Sequence, residues 1–469
     1  MNKKLAAIVV VASALMCTVD AFAQYRSDVD AESAPVVQAD SAAPVAITLD
    51  QALEIALSEN VSVKIADKEI QRTEYAKKGT YAALYPSVDA TGSYQRTLRK
   101  NDIRAMMGDS EMTGMMKDTK IGNSNSFSVG ATAAMPVVNA QLWASLKVSG
   151  LGVEAAVEKA RSSRLEMVTQ VKQAYYAVLL AKEAFNVYKD VYENAVTNFE
   201  KVESKYKAQK ASEMEYLRAK TTVSNAIPNL FNAESSIVLA LWQLKAVMGI
   251  DLDTDIDTVG DIDDYAEHMF YDIHQHDSLD FSGNSSLRQL DIQSRTLEQS
   301  IKVNKMAYVP SISLMANINY SAVANDPIKK MSWFPYSYAG VSLSIPIFSG
   351  FKRLNDVRQS RNQYEQLQLT RQDTERQLTI AAENYRITME TNMKSYYSAG
   401  DAVESAQKSY DIVEKSYELG RATLTDLNDA QLAVVQSRLS QSQAVYNFVV
   451  AKSNLEQLIS KEFMDSDID

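Results

Sequence analysis

Apolar positions along this chain recur with two different periods, and each period predicts its own kind of element. Met167, Val171, Ala174, Val178, Ala181, Phe185, Tyr188, Tyr192, Ala195, Phe199, Val202 and Tyr206 alternate spacings of four and three. A heptad seam of this length predicts a long coiled-coil helix. Ala382, Tyr385, Met389, Tyr396, Ala399, Val403, Ala406, Tyr410, Val413 and Tyr417 keep the same register, interrupted by Asn392. Asn139 to Lys210 is roughly 70 residues, about 105 Å of helix at 1.5 Å per residue. Return helices are predicted near 213–249 and 424–460, with shorter helices at 48–83 and 285–308. Pro228 predicts a kink or interruption in the first return helix.

Between the helices, four segments alternate with period two. Val88, Ala90, Gly92 and Tyr94 oppose Ser87, Asp89, Thr91, Ser93 and Gln95. Phe127, Val129, Ala131 and Ala133 oppose Ser126, Ser128 and Thr132. Ile312, Leu314, Ala316, Ile318 and Tyr320 oppose Ser311, Ser313, Asn317, Asn319 and Ser321. Val341, Leu343, Ile345 and Ile347 oppose Ser342 and Ser344. Each segment is about ten residues, the length of a tilted transmembrane strand. A soluble antiparallel sheet with one solvated face gives the same alternation.

The order of elements repeats. Leu84-Tyr85-Pro86-Ser87-Val88 recurs as Tyr308-Val309-Pro310-Ser311-Ile312, and Met135-Pro136-Val137 as Ile345-Pro346-Ile347. Tyr206 through Ala219 matches Tyr417 through Ala430 at a constant offset of about 211 residues. Two similar halves are expected, over 47–260 and 284–462, with an acidic linker at 261–283 and an acidic tail at 463–469.

Composition narrows the function classes. Gly 15 and Pro 9 are about half of average usage in 469 residues, which fits long uninterrupted helices. A net charge of -11 disfavours nucleic acid as a partner. Three histidines and one cysteine exclude disulfide frameworks and cysteine-based zinc sites. Lys3 and Lys4, the apolar run Leu5 to Met16, and Ala21-Phe22-Ala23 form a signal peptide over 1–23. Cys17 raises lipidation as an alternative, but Ala14-Leu15-Met16 lacks the small residue that usually precedes the lipidated cysteine. Residues 24–46 read as a disordered leader. No later stretch approaches 18 consecutive apolar residues, so an exported chain of this kind is soluble or a β-barrel. Aromatic residues near strand ends (Tyr85, Tyr94, Phe127, Tyr320, Trp333, Phe334, Tyr336, Tyr338 and Phe348) favour a membrane wall. Barrels in lipid must close and need about eight strands or more. Four per chain therefore demand an oligomer.

The arrangement resembles the TolC family of outer-membrane efflux channels across nearly all of the mature chain. Pro86 and Pro310, which open the first strand of each half, look like the family pattern, as does Ser344-Ile345-Pro346-Ile347-Phe348-Ser349-Gly350. Most specific is Tyr417-Glu418-Leu419-Gly420-Arg421-Ala422-Thr423-Leu424-Thr425-Asp426-Leu427-Asn428-Asp429-Ala430, which is similar to the family's hairpin turn at the periplasmic tip. The resemblance implies a mainly α chain with a membrane β-barrel part. It implies a homotrimer in the outer membrane of a Gram-negative bacterium, with a shared twelve-stranded barrel and an α-barrel tunnel of antiparallel coiled-coil helices. The implied partners are a periplasmic adaptor and an inner-membrane transporter, and no cofactor is implied. The implied function is the passive exit duct of a tripartite efflux or type I secretion system, gated at the tip.

Asp426 and Asp429, three residues apart, share one helix face. The resemblance makes them a carboxylate ring at the tunnel entrance, where such rings attract cations. Acids also favour the first turn of any helix, and Thr423 with Asp426 reads as a capping box. Glu215, with Ser212, repeats that cap. The resemblance makes Glu215, Tyr417 and Arg421 a latch on the closed tip, although Arg421 is displaced by one from the family's arginine position, held here by Ala422. His268, His274 and His276 in an acidic stretch raise a transition-metal site, against a solvated loop. Met106, Met107, Met112, Met115 and Met116 in the 98–125 loop raise a Cu(I) site, against an extracellular loop packed on itself. No catalytic constellation is present: no G-x-S-x-G, Walker sequence or H-E-x-x-H. Two other classes compete with the channel. One is a non-conducting coiled-coil structural protein of the envelope; the other is a periplasmic enzyme using the histidines.

Overall fold

The computed structural model describes residues 45–102, 120–267, 269, 280–325 and 331–460. The signal peptide, Cys17, almost all of the 24–46 leader, the five loop methionines, the three histidines and the 463–469 tail lie outside the described residues. Along the chain the elements are β1 (Val45–Ile47), α1 (Leu49–Glu59), α2 (Val61–Ala82), β2 (Ser87–Arg96), β3 (Asn101–Asp102), β4 (Lys120–Ile121), β5 (Asn125–Val138), α3 (Ala140–Lys207) and α4 (Glu213–Met248). They continue as β6 (Ile256–Thr258), a 3₁₀ turn (Ile262–Tyr265), α5 (Ser285–Met306), β7 (Ser311–Ala324), β8 (Ser332–Ser344), α6 (Lys352–Glu418) and α7 (Leu424–Ile459).

The heptad seams become α3 of 68 residues and α6 of 67, each returning through a helix of 36. Along the α3 seam Met167, Val171, Ala174, Val178, Ala195 and Val202 are buried, and on α6 Ala382, Met389 and Tyr410 are. Asn392, the break in the second seam, bonds back through Nδ2 to the Thr388 carbonyl at 2.7 Å, so its amide is satisfied within its own helix. The expected single helix at 48–83 is two. Asn60 divides them: its Oδ1 accepts from the amides of Ser62 and Val63, while Nδ2 donates to the Val247 carbonyl at 2.5 Å. The sequence also predicts a disturbance at Pro228, yet α4 runs without interruption. Ser224, whose carbonyl loses its donor to the proline, is exposed to solvent.

The strands form one antiparallel sheet in the order β2-β5-β7-β8. Residues opposite each other share a face, so the register fixes both surfaces. Tyr94, Phe127 and Ala322 fall on the apolar face, as do Ala131 with Ile318 and Leu314 with Val341. Ser93, Ser128 and Ser321 fall on the polar one, where Asn319 accepts from Ser128 at 2.9 Å and Asn317 donates to Thr132 at 2.8 Å. β8 departs from expectation. It begins at Ser332 and ends at Ser344, so Ile345 and Ile347 lie past its end, where Pro346 cannot donate to a ladder. Phe334, Tyr336 and Tyr338, expected near strand ends, instead stand within β8 on the polar face.

The main core lies where the middle of α3 meets α1, the last turns of α4 and α7, the 3₁₀ turn and α6. Tyr175 is fully buried there; its hydroxyl donates to the Val259 carbonyl at 2.5 Å, and burial pushes its pKa up to about 12. Lys172 and Glu456 form a buried ion pair at 3.0 Å between α3 and α7. Nearby, burial raises the Glu183 carboxyl, reinforced by Asp261 and Asp263, and burial likewise raises Asp263, reinforced by Asp261 and Asp264.

Two predictions follow from this core. Glu456→Ala removes the charged hydrogen bond that ties the buried Lys172 ammonium to α7, and it should cost about 1.5–3 kcal/mol in denaturant unfolding. Acids raised in the folded state bind protons more tightly there, so their stabilisation is fully present below the unfolded pKa and lost as pH rises through the folded value. Melting temperatures taken between pH 5 and 7.5 should therefore favour the acid end, and Glu183→Gln should flatten that dependence.

Candidate functional site

The two helical hairpins turn at equivalent places. In the first, Gln209 takes φ 58°, and in the second Gly420 takes φ 71°. Each turn closes with the same amide bond back onto the last turn of its helix, Lys210 to the Lys205 carbonyl and Arg421 to that of Ser416, both 2.8 Å. A capping box then starts each return helix. Thr423 donates to Asp426 Oδ2 through its amide at 2.8 Å and its hydroxyl at 2.7 Å, while the Asp426 amide donates to the Thr423 hydroxyl. Ser212 and Glu215 repeat this, with the Ser212 amide 2.9 Å from Glu215 Oε2. Those hydrogen bonds hold the Asp426 carboxyl below the usual range. Asp426 is thus a fully charged cap, still exposed to water, and Asp429 stands exposed one turn further on.

Beneath the turns, Val202, Ala219, Tyr410, Leu424 and Leu427 form a second core that joins all four helices, with Phe199, Tyr216, Val413 and Tyr417 packed against it. Tyr417 is raised above its ordinary pKa, by burial first and by the Glu215 charge second. The fold therefore brings Glu215 and Tyr417 within electrostatic reach. Arg421 is not drawn in: it is exposed, and among the described residues its guanidinium makes no hydrogen bond or ion pair.

Two contacts at the tip were not anticipated from the sequence. Lys201 meets Glu418 at 2.8 Å, tying α3 to α6, and this bond lowers the Glu418 carboxyl. Lys205 lies 5.7 Å from the Tyr417 ring centroid. Arg218 occupies the place in α4 that Asp429 occupies in α7, so the two halves carry opposite charge at that level. The signal for the Lys201–Glu418 pair was opposite charges flanking a heptad seam, which a search for apolar periodicity passes over. An open groove of about 590 Å³ runs between the starts of α4 and α7, lined by Met214, Leu217, Arg218 and Leu424. Asn428 Nδ2 reaches Thr222 Oγ1 across it at 3.3 Å. Among the described residues no cluster of His, Cys, Asp or Glu could hold a metal ion.

The chain matches the outer membrane efflux protein family over residues 52–250 and 281–461. It belongs to that family. The chain is similar to the outer membrane protein TolC of Vibrio cholerae, 19% identical over 72% of this chain and 77% of that protein. It is also similar to the pyoverdine export outer membrane protein OpmQ of Pseudomonas aeruginosa, at 23% identity over 84% and 83%. The CmeC outer membrane channel of Campylobacter jejuni shares the fold, with a TM-score of 0.66 at 16% identity over 90% of this chain and 87% of that one. Family membership places the chain in the outer membrane, among efflux and export proteins that are channels rather than enzymes. No helix among the described residues is long and apolar enough to cross a membrane.

Leu427 is fully buried where the tip helices converge. Leu427→Ala should cost about 2 kcal/mol or more. Amide exchange at both turns (208–212 and 419–423) should then accelerate by about tenfold or more, while Arg421→Ser leaves it unchanged.

Proposed function

We propose that this protein is one subunit of a homotrimeric exit duct that carries solutes through the outer membrane. The observation that carries this reading is the four-stranded sheet whose edges, β2 and β8, are unpaired among the described residues, one face apolar and the other set with Ser, Thr and Asn. In hydrocarbon every backbone amide and carbonyl must be bonded within protein, so such a sheet cannot stand open. Three copies joined edge to edge give a twelve-stranded barrel with its polar face around water. The long helices continue the wall as a tunnel through the periplasm, and the halves 47–260 and 284–462 each supply one hairpin. Transport is passive and needs no cofactor, because an inner-membrane pump supplies the energy. That pump reaches the tip through a periplasmic adaptor.

At the tip, threefold repetition makes Asp426 and Asp429 a ring of carboxylates, and the low pKa of Asp426 keeps that site charged. Closure rests on the second core with the Lys201–Glu418 bond, assisted by Glu215 beside Tyr417. Arg421 joins this latch only across to a neighbouring copy, since it engages nothing in its own chain among the described residues.

The test is conductance of the detergent-purified protein in planar lipid bilayers. The expected result is a small, flickering, cation-preferring channel. Asp426→Asn with Asp429→Asn should reduce the preference, read as a shift in reversal potential across a salt gradient. Lys201→Gln should raise the open fraction. A protein that never conducts contradicts the duct, and conductance left unchanged by Arg421→Ser removes that residue from the latch.

A further inference from the structure

The register sets two polar rows across the sheet that end in tyrosine. Asp89, Thr132, Asn317 and Tyr338 lie at one level; Thr91, Gly130, Asn319 and Tyr336 lie at the next. Within the two inner strands the polar groups satisfy one another, Asn317 with Thr132 and Asn319 with Ser128. The outer members do not. Tyr336 is 63% exposed and Tyr338 45%, with ring centroids 5.7 Å apart and tilted by 48°, and Phe334 continues the column at 55%. Among the described residues neither tyrosine hydroxyl has a hydrogen-bond partner, nor does Asp89. Asp89 also carries the only charge among the paired residues of the polar face.

Most of the rest of that face is small or amide-bearing, with Met315 its other bulky member, so three rings on one strand break its pattern. A water-facing ring that covers no neighbour keeps its π surface open to a flat solute or a cation. The nearest fixed charge on this face is negative. Within one chain Asp89 is about 14 Å from Tyr338, three strand spacings away. When the sheet edges close, however, the next copy's β2 strand lies beside β8 and brings a carboxylate-bearing strand to the open side of the column.

We propose that Phe334, Tyr336 and Tyr338, with Asp89, form a binding subsite for planar aromatic cations inside the exit barrel. This rests on the duct reading given above. Contact is weak and repeated, as conduction requires, since a solute held too tightly would not leave.

Block of the single-channel current by ethidium, compared with tetrapropylammonium, tests the proposal. Both are monovalent cations, and only ethidium is aromatic. Tyr336→Ser with Tyr338→Ser should raise the half-blocking ethidium concentration by about fivefold or more, each ring contact being worth a few-fold. Tetrapropylammonium block should not change. Tyr336→Leu with Tyr338→Leu, which keeps apolar bulk, should lose ethidium block equally, whereas the double Phe variant should retain it. Asp89→Asn should weaken both blockers. Equal ethidium block in wild type and the Leu variant overturns the subsite, as does an equal loss for both blockers, which would mean that the rings only shape the pore. In either case a conducting wild type leaves the duct standing. A wild type without conductance removes the duct and the subsite together.

Discussion

A β-sheet placed in hydrocarbon must satisfy each backbone amide and carbonyl from within protein, and the proposed duct depends on how that requirement is met. Each unsatisfied group in lipid costs several kcal/mol. A strand edge of ten or more residues, such as β2 or β8, could not bear that cost on one chain. In the proposed trimer, closure with other copies removes both edges at once, and symmetry turns each chain's residues into rings. The proposed roles of the carboxylates at the helical tip and of the aromatic column on the sheet both depend on that repetition.

The helical part solves a different problem. Helices of 68 and 67 residues have no single globular core to bury against, so each relies on a continuous seam against its neighbours. The described structure concentrates stability in two places: a broad core around Tyr175 and Lys172, and a small one around Leu427 at the tip. A large mid-length core with a small terminal one suits a duct whose tip opens while its body stays fixed. The charged contacts follow that division, Lys172–Glu456 being buried and Lys201–Glu418 exposed to water. Exposed pairs are worth little individually, so the tip contact adds little strength to the pairing of α3 with α6.

Much of this was legible in the sequence because the governing periods are simple. The seams from Met167 and from Ala382 placed α3 and α6, and the capping signals Ser212–Glu215 and Thr423–Asp426 located where α4 and α7 begin. Alternation placed the first three strands but drifted at the fourth. There Ile345 and Ile347 continue the pattern past Pro346, whereas the real strand contains a Tyr-x-Tyr step whose rings do not alternate with apolar residues in the expected sense. The division at Asn60 was missed because its cause is a long-range bond to Val247. Arg421 shows the limit of reading a latch from one chain: its motif is local, and any partner it has must come from outside the described residues of its own chain.

Edge closure is therefore the claim on which the account stands. The most direct measurement is native mass spectrometry of the detergent-extracted protein, because it counts chains without assuming conduction. The account predicts a single species of three copies that persists as detergent micelles are stripped away. A monodisperse single chain, stable in detergent with both sheet edges unpaired, would contradict it.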